Sequence, residues 1–237
     1  MRKSRMAGLL LVSMATLAQQ KRPVEITSEP SHQLVFENQY VRVFDVTVAP
    51  MASTLVHRHN FDYVFVTLGD SEVASARPDE KPVELSLKDG ETRFTAGNFS
   101  HAAINRSPRP FHNITIELLK PSTNVKTCTE SCETGAPCGT GGAGCSIERR
   151  IAADQWQVSL LTMSPSSRLE RSPHAAQQLV VAVSDLDLTQ ETGALRNRLR
   201  RAPGGLAWIP AGTSNTIINN GSKPASFVTL AFPGEKQ

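Results

Sequence analysis

Short runs of β-branched and aromatic residues, each closed by a glycine or a proline, constrain the fold of this chain most. Examples are Tyr40–Val48 before Pro50, Val64–Leu68 before Gly69, and Val83–Leu87 before the Asp89-Gly90 pair. Such runs are typical of strands, and the closing residues are typical of turns. The first half has no sustained apolar stripe with a 3.6-residue period, which a helix would show. The pattern therefore predicts an all-β protein of short strands.

A weak internal repeat indicates that this architecture occurs twice. Residues 41–70 align without a gap on residues 156–185 at an offset of 115, and residues 90–105 align on 204–219 at an offset of 114. Identities are few, so chance similarity between two β-rich segments is the alternative. Two matches at nearly the same offset favour duplication, since self-similarity at a fixed period usually reflects repeated structure.

Three histidines form the strongest chemical signal. His57 and His59 are two residues apart on a predicted strand, so their side chains point to the same face. His101 follows the glycine turn at Gly97 and is placed to approach them from a neighbouring strand. Buried imidazoles need partners, and a metal ion is a common one. The alternative is that these histidines hydrogen-bond to water or to a carboxylate in an empty polar pocket.

The spacing of these residues resembles the cupin superfamily, and the internal repeat resembles a bicupin. The resemblance rests on two motifs and on a second-half glycine turn: Pro50, His57-x-His59 and Gly69; Gly90, Gly97 and His101-x-x-x-Asn105; and Trp208–Gly212. It covers most of residues 32–119 and 151–233. It implies two cupin-type jelly-roll β-barrels in tandem. It also implies a divalent transition metal (Fe, Mn, Ni, Cu or Zn) held by His57, His59 and His101.

The family's usual metal-binding glutamate is missing. It would follow the second histidine by four or five residues, where this chain has Tyr63 and Val64. The nearest acid is Asp62, which we retain as a candidate fourth ligand, although strand alternation turns it away from the histidine face unless a bulge intervenes. Tyr63 has the correct parity, and we predict that it is a catalytic proton donor.

The second half has lost more of the motif. The gapless alignment places Ser172 at the position of His57, Gln178 at that of Tyr63 and Asn215 at that of His101, so that only His174 remains. One histidine with two amides should not hold a transition metal tightly. We therefore predict that the second barrel is degenerate, serving as structure or as a polar small-molecule pocket.

The N-terminus predicts export. Residues 1–18 combine a basic start, a short apolar run and a small-residue end, which are the marks of a signal peptide. Their removal takes away Arg2, Lys3 and Arg5 but no acid, so the formal charge falls from +3 to 0. The basic pI thus gives no reason to expect a nucleic-acid partner, nor membrane association after cleavage. We expect a periplasmic or secreted protein.

The remaining chain divides into three segments. We predict an N-terminal barrel over 19–121, a Cys/Gly-rich linker or loop over 122–148, and a C-terminal barrel over 149–237. The linker holds all four cysteines: Cys128, Cys132, Cys138 and Cys145. They contain no Cys-x-x-Cys pair, so disulfides are favoured over a zinc or iron–sulfur site in an exported chain. Three connectivities are possible, and the sequence does not choose among them.

The predicted function is metal binding in the first barrel. If the protein is an enzyme, the resemblance implies a dioxygenase or decarboxylase type of reaction on a small organic substrate. The alternatives are a non-enzymatic small-molecule-binding module without metal, and a scaffold for assembly with no accessible pocket. Many cupins dimerise, so the resemblance also implies a homodimer.

Overall fold

The computed structural model describes residues 22–128, 144–172, 175–212 and 215–232. The predicted signal peptide, Cys132, Cys138 and His174 lie outside these ranges. The described chain consists of strands and one 3-10 turn, Ile26–Ser28. None of its helical segments has the length and apolarity that crossing a membrane would require.

Ten strands precede residue 120, and we call them the N-terminal lobe. They are β1 Val24–Glu25, β2 His32–Glu37, β3 Val41–Val48, β4 His57–His59, β5 Tyr63–Leu68, β6 Ser71–Ala76, β7 Val83–Leu87, β8 Thr92–Thr95, β9 Phe99–Asn105 and β10 Phe111–Leu118. One sheet has the order β1-β4-β9-β6-β7 and the other the order β2-β3-β10-β5-β8.

Ten further strands form the C-terminal lobe. They are β11 Lys126–Thr127, β12 Cys145–Ala152, β13 Gln157–Met163, β14 Arg168–Arg171, β15 Gln177–Ala182, β16 Leu186–Thr192, β17 Leu195–Arg201, β18 Leu206–Ile209, β19 Asn215–Asn219 and β20 Ala225–Phe232. Their sheets have the orders β11-β12-β13-β20-β15-β18 and β14-β19-β16-β17. Strands β11 and β12 extend into the ends of the predicted 122–148 linker.

The two lobes repeat one strand order. In one sheet of each lobe, β3-β10-β5-β8 corresponds to β13-β20-β15-β18, and in the other β4-β9-β6-β7 corresponds to β14-β19-β16-β17. All of these pairings are antiparallel. This is the tandem jelly-roll arrangement that the sequence predicts. Within the described residues each lobe is a pair of sheets, with no strand pairing that closes it into a continuous barrel.

Successive side chains of β10 point alternately into the cavity of the N-terminal lobe and towards the C-terminal lobe. Phe111, Asn113 and Thr115 line the cavity between the two sheets of the N-terminal lobe. Ile114 and Ile116 point the other way and are buried in a hydrophobic cluster with residues of the C-terminal lobe, among them Ile151 and Trp156. The main hydrophobic core is therefore shared between the lobes, because burying this face of each lobe removes apolar area from water.

Candidate metal centre

Strands β4 and β9 place three histidines on one face of a sheet. His57 and His59 share a side of β4, and His57 is the cross-strand partner of His101 on β9. Directly opposed side chains on neighbouring antiparallel strands lie within contact distance. The structure thus brings together the three residues that the sequence analysis selected.

The three imidazoles converge through their Nε2 atoms. His59 Nε2 lies 3.1 Å from His57 Nε2 and 3.2 Å from His101 Nε2. Metal–nitrogen bonds of about 2.1 Å at tetrahedral or octahedral angles separate neighbouring ligand nitrogens by roughly 3.0–3.4 Å. Among the described residues these three form a group whose ligand atoms all lie within 4.8 Å of one another. The spacing fits one metal ion.

Backbone and side-chain contacts orient two of the three rings, those of His57 and His101. His57 Nδ1 donates to the Leu55 carbonyl oxygen at 2.9 Å, so the Nε2 atom of the neutral ring carries a lone pair. His101 Nδ1 lies 2.8 Å from Ser75 Oγ, a contact that can hold its ring in the same tautomer. Such partners commonly orient metal-ligating histidines. Lone pairs that face one another repel, and a cation between them removes that repulsion.

Burial keeps the three rings neutral. Their residues are 0%, 2% and 8% exposed for His57, His59 and His101. Desolvation lowers the pKa of His57 to about 4, that of His59 to about 2 and that of His101 to about 3. All three are then uncharged at neutral pH, which is the form that binds metals. The donor chemistry fits a divalent transition metal.

A cavity of about 450 Å³ adjoins the three histidines. Tyr63 lines it and stacks on His59, with ring centroids 4.2 Å apart. Burial raises the pKa of the Tyr63 phenol to about 12. Tyr63 is therefore a neutral phenol beside the candidate metal ligands. Its catalytic role stays a prediction.

Asp62 does not join the cluster. Its Oδ1 atom accepts a hydrogen bond from the Gly97 backbone N–H at 2.8 Å. Gly97 is packed so closely that a β-carbon there would lie 2.4 Å from the Phe61 carbonyl carbon. Asp62 thus ties the residues before β5 to the glycine of the second motif. The three-histidine group of the described residues does not include it.

His32 is a cavity residue that the sequence analysis did not select. It lines the same cavity, and its ring centroid lies 4.5 Å from that of His57. Its Nδ1 atom contacts the buried Glu29 carboxylate at 2.6 Å. The Glu-x-x-His spacing was visible in the sequence, but nothing in strand alternation connects it to a histidine pair some 25 positions later.

His112 lies outside the cavity. It shares a face of β10 with Ile114 and Ile116, and that face packs towards the C-terminal lobe. His112 Nε2 lies 2.8 Å from Asp45 Oδ1, and His112 is not among the cavity residues.

Comparison with known proteins identifies the fold. No family model matches the sequence, and no curated protein matches it. Among solved structures, AerE from Microcystis aeruginosa matches with a TM-score of 0.61 at 12% identity, covering 86% of this chain and 98% of that one. An oxalate decarboxylase from Bacillus subtilis with Mn(II) centres matches with a TM-score of 0.57 at 10% identity, covering 84% and 71%. This chain has the fold of these proteins, with two jelly-roll lobes in tandem. At these identities the likeness shows the fold alone.

The second site, in the C-terminal lobe, differs from the prediction. Arg171 on β14 pairs with Asn215 on β19 as His57 on β4 pairs with His101 on β9, and both members of the second pair lie 114 positions after those of the first. Arg171, and not Ser172, therefore occupies the position of His57. Gln178 and Asn215 do occupy the positions of Tyr63 and His101, by the same pairing argument.

Arg171 makes the site in the C-terminal lobe unsuitable for a metal. Its side chain is buried, and its Nη2 atom donates to the Ala176 carbonyl oxygen at 2.8 Å. Burial lowers the pKa of the guanidinium from its usual value, but arginine stays protonated in proteins. A cation at the position of His57 repels a divalent metal ion.

Proposed function

We propose that this protein is a metal-dependent enzyme acting on a small organic substrate in its N-terminal lobe. One observation carries the proposal: the Nε2 atoms of His57, His59 and His101 converge at 3.1–3.2 Å beside an open cavity. Three protein ligands leave positions on the ion for a substrate or a water molecule. The metal is Fe, Mn, Ni, Cu or Zn.

The reaction we propose is of the dioxygenase or decarboxylase type. When bound, the metal would polarise a carboxylate or carbonyl oxygen, or would activate dioxygen. The chain's own residues hold the ion, orient the substrate and exclude water. Tyr63 Oη can donate a hydrogen bond or a proton to a group bound beside His59. The Mn(II) centres of the oxalate decarboxylase support a metal-dependent reaction but do not identify a substrate.

An arginine in the cavity lining supports an anionic substrate. Arg77 lines the cavity, and its guanidinium carbon lies 4.3 Å from the centroid of the Phe99 ring. None of the ion pairs within the described ranges involves Arg77. A guanidinium without an acidic partner can bind a carboxylate. Phe65 and Phe99 supply apolar walls for the rest of the molecule.

Metal analysis of protein purified without a histidine tag tests this proposal. We expect about one transition-metal ion per chain in the wild type, and none in the His57→Ala, His101→Ala double variant, because two of three ligands are removed. His112→Ala is the matched control, since it removes a carboxylate-paired histidine outside the cavity. Metal-free wild-type protein that still binds small organic acids would contradict the proposal and favour the alternative, a binding module without metal.

We further propose that the protein is exported, that residues 1–18 are removed, and that its four cysteines form disulfides. The basic and apolar pattern of the N-terminus supports cleavage after Ala18. The intact mass of the protein recovered from the periplasm or medium tests both points. We expect a chain that begins at Gln19 and reacts with no thiol reagent until it is reduced. A chain that retains Met1, or thiols that react in the denatured but unreduced protein, would overturn the respective point.

A further inference from the structure

Part of the metal-site cavity is apolar. Val46, Val73, Leu87 and Phe111 line it and belong to one buried hydrophobic cluster of the N-terminal lobe. Phe65 packs against the same cluster and also lines the cavity. The cavity volume of about 450 Å³ is within the range of sites that bind molecules of drug size. Its walls therefore fit a ligand with an apolar body, larger than a two-carbon acid.

One amide lies among these apolar side chains. Asn113 on β10 shares a face with Phe111, lines the cavity and is 4% exposed. Thr115 Oγ1 donates to Asn113 Oδ1 at 2.8 Å. The other terminal atom of the amide, Nδ2, has no hydrogen bond within the described ranges. Buried polar groups normally have partners, so this atom points to a ligand that supplies one.

The strand register gives the separation between Asn113 and the candidate metal ligands. His32 and Asn113 are both cross-strand partners of Val46, on opposite sides of β3. Two strand spacings therefore place their backbones roughly 10 Å apart. The His32 ring lies beside that of His57, with centroids 4.5 Å apart. A molecule that reaches from the metal centre to the amide therefore needs a body about as long as an aromatic ring with a short chain.

We propose that the substrate is a carboxylic acid with an apolar body and a hydroxyl group at the end remote from the carboxylate, and that Asn113 selects it by hydrogen-bonding this hydroxyl. The inference rests on the proposed function, because the metal ion and Arg77 hold the carboxylate. A hydroxyl both accepts and donates, so it can pair with either atom of an amide. A ligand without it leaves a buried polar atom unsatisfied and binds less tightly.

Three probes separate the contributions to binding. Acetate carries the carboxylate alone, 3-phenylpropanoate adds an apolar body, and 3-(4-hydroxyphenyl)propanoate adds the remote hydroxyl. Each is titrated into Co²⁺-loaded protein, and binding is followed by the visible absorption of the cobalt ion. We expect 3-phenylpropanoate to bind about fiftyfold more tightly than acetate, because an aromatic ring is buried. The hydroxylated probe should bind roughly tenfold more tightly again, as one buried hydrogen bond provides.

Variants separate the hydrogen bond from general effects. Asn113→Leu removes the amide at similar size, so the preference for the hydroxylated probe should fall to about onefold while the preference for 3-phenylpropanoate over acetate and the Co²⁺ affinity change little. Asn113→Thr supplies a hydroxyl at this position and should restore part of the preference. Asn220→Leu is the matched control, because it makes the same change at an exposed asparagine of the C-terminal lobe and should leave all three affinities unchanged.

The outcomes distinguish this inference from the proposed function. Equal binding of the two aromatic probes by the wild type, or an unchanged preference in Asn113→Leu, would overturn the role of Asn113 and leave the metal centre standing. Acetate that binds as tightly as 3-phenylpropanoate would overturn the apolar body. Protein that binds no Co²⁺ would overturn the proposed function, on which the inference rests. If Asn113→Leu fails to fold, the comparison of the probes in the wild type still decides.

Discussion

At the scale of single residues, the pKa of a buried ionisable group shifts when neighbouring charges and hydrogen bonds do not make up for its lost hydration. Glu117 on β10 is 1% exposed, and its carboxylate contacts Arg42 Nη1 at 3.3 Å. Desolvation nevertheless dominates and raises the pKa of Glu117 to about 7, against an ordinary value of 4.5. Arg42 also pairs with the exposed Glu37, so its charge is shared. Glu117 is therefore half-protonated near neutral pH in the folded protein.

This raised pKa predicts a pH dependence of stability. Between about pH 4.5 and 7 the folded state holds a proton on Glu117 that the unfolded state has released, so this group makes the protein less stable as pH rises, and the loss levels off above pH 7. Glu117→Gln cannot titrate. We expect the difference in unfolding free energy between this variant and the wild type to change by on the order of 2 kcal/mol over that range, in favour of the variant.

Denaturant unfolding at a series of pH values measures this difference. Glu37→Gln is the control, because it removes the other acid that contacts Arg42 but is itself exposed. A wild-type and Glu117→Gln pair whose stabilities run parallel from pH 5 to pH 8 would show that Glu117 is ionised throughout.

The candidate site was predictable where strand alternation alone determines direction. His57, His59 and His101 follow from parity on two paired strands, and the structure brings them together. His32 was not predictable in this way. Its place depends on the 3-10 turn and on three hydrogen bonds to Glu29, one of which, from Leu55 N, joins segments 26 positions apart in sequence. Tertiary contacts of this kind leave no periodic signal.

At the scale of elements, one strand is displaced in register relative to the sequence repeat. Strand β4 corresponds to β14 at an offset of 114, whereas the match of Tyr63 to Gln178 on the next strand has an offset of 115. The gapless alignment assumed one offset throughout and so placed Ser172 at the position of His57. A shift of one residue reverses the face of every side chain on a strand. Loop length absorbs such shifts, and the sequence repeat is too weak to reveal them.

A buried asparagine at the end of a strand occurs at corresponding positions in both lobes and makes similar hydrogen bonds. Asn105 at the end of β9 donates to the Val48, Ala49 and Arg109 carbonyl oxygens and accepts from Ser107 N–H. Asn219 at the end of β19 makes the same kind of contacts in the other lobe, to Met163 and Lys223 oxygens and from Gly221 N–H. Each buried amide therefore joins the turn after its own strand to the end of another strand in its lobe.

Loss of this amide should be costly in either lobe. Asn105→Ala leaves buried backbone groups without partners, and we expect unfolding free energy to fall by about 3 kcal/mol. Asn219→Ala should cost a similar amount. The exposed Asn220, which has one side-chain hydrogen bond to Thr189 Oγ1, is the control and should cost less than about 1 kcal/mol when changed to alanine. Thermal or denaturant unfolding gives the values, and equal small effects at all three positions would contradict a joining role.

At the scale of the whole molecule, the two lobes pack directly on one another, and each places a glycine turn against the other. Trp208 of the C-terminal lobe stacks with Phe36 and Tyr40 of the N-terminal lobe at centroid distances of 5.9 Å. A β-carbon on Gly90 would lie 3.2 Å from a methyl carbon of Val183 in the other lobe, and one on Gly204 would lie 3.2 Å from a methyl carbon of Leu68. Two turns, one per lobe, therefore approach the opposite lobe as closely as glycine allows.

Gly204 has both a left-handed backbone and close contacts with the other lobe, whereas the control, Gly69, has only the left-handed backbone. Its φ of +84° is in the left-handed region, and a β-carbon there would meet Leu68, His112 and Ile114 at 3.2–3.5 Å. Gly69 has a similar φ of +79°, but no atom lies within 4 Å of its β-carbon position. Gly69→Ala should therefore cost about 1 kcal/mol, the conformational penalty alone. Gly204→Ala should cost roughly 1–3 kcal/mol more, because the lobe interface must move to admit a methyl group. Unfolding free energies of the two variants test this directly. Equal losses would mean that the lobes give way at this contact without cost, and that the shared core tolerates a change in their separation.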